Sequence, residues 1–141
     1  MLFRQLNTTT KVLLVLQSIA MLMGTSTHVA WAIDNGFLSS NYHAPLFSML
    51  FWDALTFVDP LAALLLFVRP KAGLWLTLII ITADVLHNNI YYLEELYLHA
   101  PPLLEWLSTY WMIAGQLAFA VLVFATFKRN MREVNRALAA Q

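Results

Sequence analysis

The stretch from Leu46 to Tyr92 reads LFSMLFWDALTFVDPLAALLLFVRPKAGLWLTLIIITADVLHNNIYY. Two apolar runs, Leu46–Val68 and Ala72–Tyr92, flank a three-residue break, Arg69-Pro70-Lys71, that is basic and holds a proline. Each run is long enough to cross a hydrocarbon core of roughly 30 Å as a helix rising about 1.5 Å per residue. A lipid-exposed segment must satisfy its own backbone, so the pair reads as two antiparallel spanning helices. Working outward, Val12–Ile33 precedes the pair and Leu103–Phe127 follows it, with Pro45, Pro101 and Pro102 at the remaining breaks. The expected fold class is therefore all-α integral membrane: one four-transmembrane-helix bundle over residues 1–141, ending in a basic tail, residues 128–141. That tail reads as a helical extension of span four lying near anionic headgroups.

Composition agrees. The chain has 141 residues, 60% hydrophobic and 11% charged, with a mean hydropathy of +0.66; a soluble domain carries about twice that charge. Four spans nearly exhaust the length, leaving no room for a separate soluble catalytic domain. The absence of cysteine removes disulfides, thiolate metal ligands and thiol chemistry, and is compatible with either redox environment. All eight basic residues precede span one (Arg4, Lys11), separate spans two and three (Arg69, Lys71) or follow span four (Lys128, Arg129, Arg132, Arg136). The other two loops carry Asp34, Glu94 and Glu95, with Glu105 nearby. The positive-inside rule then puts both termini in the cytoplasm, in a bacterial inner membrane or an endoplasmic reticulum membrane. Tyr42, Tyr91, Tyr92, Trp106 and Trp111 fit an outer aromatic belt. Arg4, Lys11, an apolar stretch and Ala30-Trp31-Ala32 imitate a signal peptide with its cleavage site; the expectation is that the segment stays as span one.

Charged groups near the centre of a span cost about 2.5–3.5 kcal/mol each on insertion scales, so they face the bundle interior and find partners. Asp53, Asp59 and Asp84 all lie within spans. Counted along the helices, His28, Asp53 and His87 share a layer about 8–10 Å inside the outer boundary, which Thr109 and Tyr110 also reach. Asp59, Asp84 and Gln116 fall one layer deeper. Helical spacing gathers Asp84, His87, Asn88, Tyr91 and Glu95 on one stripe of span three. Span four offers Glu105, Thr109 and Gln116; span two Asp53, Thr56 and Asp59; span one Gln17, Gly24, His28 and Trp31. Four such stripes are buried together in the middle of a four-helix bundle, giving a polar pocket toward the outer leaflet. Groups of this kind also serve simply as interhelical hydrogen-bond glue, and Asp59-Pro60 can be no more than a kink. Three aspartates and two histidines in two adjacent layers exceed what glue requires.

These residues carry a family resemblance. His28-Val-Ala-Trp-Ala-Ile-Asp34-Asn-Gly-Phe37, Asp53 followed by Pro60-Leu61, Asn88-Asn-Ile-Tyr-Tyr-Leu-Glu-Glu95, and Pro102-Leu103 with Trp106 together resemble the four-helix EXPERA membrane domain. That domain occurs in the emopamil-binding sterol isomerase and in the sigma-2 receptor. The resemblance spans roughly residues 25 to 130. It implies a lipophilic ligand, sterol- or isoprenoid-like, and double-bond isomerisation by acid/base chemistry, with Glu95 at a functional glutamate's position and Asp53 standing where the family has a glutamate. Two departures stand out: the acid follows His28 at Asp34, with Ala32 at the family's position, and Ile113 and Gln116 replace an asparagine and a tryptophan.

The candidate proton-handling groups are thus His28, Asp53, Glu95 and Asp34. The candidate ligand-binding groups are Trp31, Trp52, Thr56, Asp59, Asp84, His87, Asn88, Tyr91, Thr109, Tyr110, Trp111 and Gln116. In isomerase chemistry a protonated carboxyl adds a proton to an alkene, aromatic faces stabilise the cation, and a neighbouring base removes another proton. Two other classes stay open. One is a small proton-coupled transporter, or an accessory subunit of a membrane complex, with homodimerisation the route to a pathway. The other is a metal or haem site at Asp84-x-x-His87 joined by His28. Bundle-core metal sites use two such pairs and extra glutamates, and one pair is present, so no metal and no cofactor is expected. Basic residues at membrane flanks without interleaved aromatics give no nucleic-acid surface.

Overall fold

A computed structural model describes residues 2–140, the side chain of Glu95 excepted. Five α-helices follow one another: α1 (Thr8–Asn35), α2 (Leu46–Val68), α3 (Pro70–Tyr91), α4 (Leu103–Thr109) and α5 (Trp111–Ala139). Short 3-10 turns at Leu2–Gln5 and Ser40–Tyr42 and one π turn at Glu94–Leu98 complete the order, with no strand among the described residues. Four of the helices, α1, α2, α3 and α5, are long and apolar enough to cross a membrane.

The ends of α1 show why sequence and structure differ there. Expected from Val12, the helix starts at Thr8, because the Asn7 side chain accepts the Thr10 N–H at 2.8 Å and caps it. It runs to Asn35, past the expected Ile33, and stops at Gly36. That residue's φ of 80° suits glycine, and its N–H still bonds the Ala32 carbonyl. α2 occupies the expected Leu46–Val68. A single residue, Arg69, separates it from α3, which begins at Pro70, two residues early, since proline at the first helical position needs no N–H partner. Gly73 then packs on the preceding helix so closely that a Cβ there would lie 2.4 Å from the Leu66 nitrogen.

Span four departs most. Instead of one helix over Leu103–Phe127, a break at Tyr110 separates α4 from α5. The Tyr110 N–H closes α4 on the Trp106 carbonyl, and the Trp106 indole donates to the Leu96 carbonyl of the π turn at 3.0 Å. From Trp111, α5 runs for 29 residues without interruption into the basic tail, about 43 Å at the usual rise.

α1 packs on α2, α2 on α3 and α3 on α5, with α5 returning to α1. Apolar burial alone drives helices together weakly in lipid, so close approach through small residues matters more. Ala62, Ala63, Gly73 and Ala120 are all buried. An inner core joins Leu6, Leu14, Leu66, Leu74, Val134 and Ala137. The tail therefore contributes a buried stripe, Asn130, Val134 and Ala137, while Lys128, Arg129, Arg132 and Arg136 stay exposed. Glu133 fastens it to the start of α1, accepting the Asn7 N–H at 3.1 Å. Further from the termini, Met21, Trp52, Leu55, Ala62, Ala63 and Ile80 form a second core.

Candidate functional site: a polar layer inside the bundle

Asp53, buried on α2, holds the loop between α1 and α2. One carboxylate oxygen accepts the Leu38 N–H at 2.6 Å and the other the Tyr42 hydroxyl at 2.7 Å. Leu38 sits at a φ of 53°, an uncommon conformation for a non-glycine residue that the hydrogen bond helps to hold. Tyr42 is flanked by Trp31 and Trp52, with ring centroids at 4.7 and 5.3 Å. His28 lies within electrostatic reach of Asp53. Two charge-assisted bonds predict that Asp53→Ala lowers stability by about 2–3 kcal/mol, read as an earlier midpoint in SDS-induced unfolding of the purified protein; an unmoved midpoint would rule the latch out.

The same latch makes an alkaline signature. Burial pushes the Tyr42 hydroxyl above the usual tyrosine range, and its hydrogen bond to Asp53 and the carboxylate's negative charge push the same way. A folded group that holds its proton more tightly than the unfolded chain contributes fully below its unfolded pKa, about 10. The contribution fades as pH climbs from there toward the folded value. Tyr42→Phe is expected to flatten that alkaline loss of stability relative to wild type, which unfolding midpoints measured across the alkaline range would show.

Beside Trp52 and His87, Asn88 of α3 is the hub. Its amide oxygen accepts the Trp52 indole N–H at 2.9 Å and lies 3.3 Å from His87 Nδ1. The Asn88 amide nitrogen donates to Asp84 at 2.9 Å and to Gln116 at 3.3 Å. Gln116 of α5 donates in turn to the other oxygen of Asp84. His87 reaches back to Ser48 of α2 through Nε2 at 3.0 Å. Its ring packs against Phe51 and Trp52, and Tyr91 packs on Trp52 in turn. Three helices are thereby tied by one connected polar network.

Asp59 lies in electrostatic reach of Asp84. It is buried, with Oδ1 unpartnered and Oδ2 against Gly24 of α1, where an added Cβ would come within 2.9 Å. Pro60 offers no N–H to the Thr56 carbonyl, and the Thr56 hydroxyl is unpartnered too. Among the described residues the one ion pair is Arg136 with Glu133. Two acids on neighbouring helices thus lie within electrostatic reach of each other, and neither is in an ion pair among the described residues. Asp84 and Gln116 are only half-buried. The hydrogen bonds joining α5 to the α1 end of the bundle, Gln17 to Thr126 at 3.3 Å and Asn7 to Glu133, lie on the inner side. At the outer start of α5, Trp111, Met112 and Gly115 are exposed.

The sequence-derived candidates separate cleanly. His28, Trp31, Trp52, Asp53, Asp59, Asp84, His87, Asn88, Tyr91 and Gln116 come together. Asp34 is exposed at the end of α1, and Thr109 and Trp111 are exposed on either side of the half-buried Tyr110. The Glu95 side chain lies outside the described residues. Asp84 is bonded to Asn88 and Gln116, and His87 lies against Asn88 and Ser48. Among the described residues no three His, Asp or Glu side chains are grouped as metal ligands. Ser48 and Tyr42 join the site without having been singled out for it. Ser48 was within reach, because it shares the i, i+4, i+7, i+11 stripe of Trp52, Leu55 and Asp59; Tyr42 arrives through a loop whose path no periodicity describes. Further in, Thr10, Gln17, Thr77 and Asn130 are fully buried with polar atoms unpartnered. Compared with models of known families, with characterised proteins and with solved structures, the chain matches none.

Proposed function

We propose that this is a multi-pass membrane protein with both termini cytoplasmic, whose polar layer binds a lipophilic small molecule, sterol- or isoprenoid-like, entering between α1 and α5. The observation that carries the reading is the pair Asp59 and Asp84, within electrostatic reach of each other and without a basic partner among the described residues, with Asp59 against Gly24 of α1 and Asp84 bonded to Gln116 of α5. Such a pair is expensive in lipid unless it serves a ligand or a proton. The aromatic wall of Trp31, Trp52 and Tyr91 supplies apolar and π surface for a ring system. The resemblance to the EXPERA domain points the same way and adds double-bond isomerisation as the candidate chemistry, with a carboxyl donating the proton and His28 or Asp53 available to accept one.

The experiment is photolabelling in liposomes with a diazirine sterol. Expected are saturable labelling of α1 and α5 peptides near Gly24 and Gln116, competed by unlabelled sterol, and a fall of at least fivefold in Asp84→Asn and Asp59→Asn. Uniform labelling of lipid-facing peptides, untouched by either substitution, would sink the proposal. The sidedness is checked separately. Because the chain has no cysteine, single cysteines placed at Ser40 and Asn135 should react with an impermeant maleimide from opposite faces of the membrane.

A second reading, a small proton-coupled transporter, is favoured by the buried, unpartnered oxygens Gln17 Oε1 and Thr77 Oγ1 away from the acids. Flux driven by a pH gradient in dye-loaded liposomes, lost in Asp59→Asn, would favour it over ligand binding alone.

A further inference from the structure

A cleft lies away from the polar layer, at the charged end of the bundle. It has a volume of about 400 Å³ and runs between the α2–α3 turn, the N-terminal 3-10 turn and the end of α5, lined by Leu2, Val68, Arg69, Lys71, Ala72 and Leu138. Its walls are apolar: Val68 and Leu138 are 42% and 41% exposed there. Two cations, Arg69 and Lys71, stand among them, both exposed. Neither takes part in the one ion pair found among the described residues, Arg136 with Glu133.

The setting reinforces the local charge. All eight basic residues of the chain belong to this end, in the N-terminal turn, the start of α1, the α2–α3 turn and the inner part of α5, and Glu133 is the one acid that accompanies them. Two uncompensated cations in an apolar cleft beside a membrane suit neither water nor acyl chain alone. They suit an amphiphile with an anionic head. We propose that this cleft binds one anionic phospholipid from the leaflet around the charged end, its phosphate between Arg69 and Lys71 and its upper acyl chain along Leu2, Val68, Ala72 and Leu138. Diffuse attraction of a basic surface to anionic lipid would draw on all eight cations alike; a built cleft singles out these two and needs its apolar walls.

Native mass spectrometry of the full chain in detergent, with phosphatidylglycerol or phosphatidylcholine added, distinguishes the two. One phosphatidylglycerol should bind about tenfold more tightly than phosphatidylcholine. The double variant R69Q/K71Q should lose that preference, a drop of about tenfold. Ala72→Trp, which keeps both charges but fills the cleft at an exposed position, should lose it as well. K128Q/R129Q, which removes two cations outside the cleft, should keep it. Equal binding of the two lipids would overturn the proposal. So would a K128Q/R129Q variant as impaired as R69Q/K71Q, an Ala72→Trp variant that binds normally, or displacement of the lipid by millimolar inorganic phosphate. None of these readings depends on the ligand of the polar layer.

Discussion

Gly73→Leu is expected to keep the α2–α3 hairpin from closing and to lower stability by about 3 kcal/mol or more. A Cβ on Gly73 would meet the Leu66 nitrogen at 2.4 Å, the Leu65 carbonyl carbon at 2.6 Å and the Leu66 Cα at 2.7 Å. All three are backbone atoms of the facing helix, so no rotamer change relieves the overlap. With Arg69 alone between the helices, neither can slide away without opening the turn. Relief would require separating α2 from α3 along their inner halves and exposing Leu66 and Leu74, both sealed in the inner core. Gly115→Leu is the matched control, since nothing lies within 4 Å of a Cβ there. SDS unfolding of the two purified variants tests the claim: equal midpoints would show that the close approach does not hold the hairpin.

The second large effect is expected at the hub. Asn88→Leu removes the acceptor of the Trp52 indole and two donors, those to Asp84 and Gln116. Interhelical hydrogen bonds in membranes are worth about 0.6 kcal/mol on average and up to about 1.7, so the pairwise losses alone are moderate. The larger part comes from what is left behind, an indole N–H without an acceptor and an acid with one polar neighbour fewer. Together they suggest about 3 kcal/mol. A double-mutant cycle with Gln116→Leu should show coupling of about 1 kcal/mol, because both residues serve Asp84. Strict additivity would mean that the network is a set of independent contacts.

How much of this was legible in the sequence depends on how local the cause is. α2 could be read to the residue because Pro45 and the Arg69-Pro70 pair punctuate it. The stripe Asp84, His87, Asn88, Tyr91 on α3 follows from helical spacing and faces inward as expected. The start of α1 is hidden in the sequence, because three threonines fill the first turn of a helix that Asn7 caps. The break at Tyr110 has neither glycine nor proline to announce it. Its effect on the site is direct: a restarted helix resets its angular phase, so Thr109 no longer lies on the face of Gln116 and turns outward. Asp53 was legible as a buried acid but not as a loop latch. Its partners, a backbone N–H at Leu38 and a tyrosine eleven residues upstream, are set by the path of an irregular segment.

The clamp between the two ends of the chain bears on how the protein is made. Gln17 meets Thr126 across 109 residues, and Asn7 meets Glu133 across 126. Helices emerging in order from a ribosome can pair α1 with α2 and α2 with α3 as they enter the bilayer. The inner half of α1, however, keeps Thr10, Gln17 and Leu14 short of their cover until α5 is synthesised to its end. A nascent chain halted before residue 130 would therefore hold polar groups against lipid at the very helix that entered first. Closure of the bundle therefore waits on α5, the helix furthest along the chain from the one it covers.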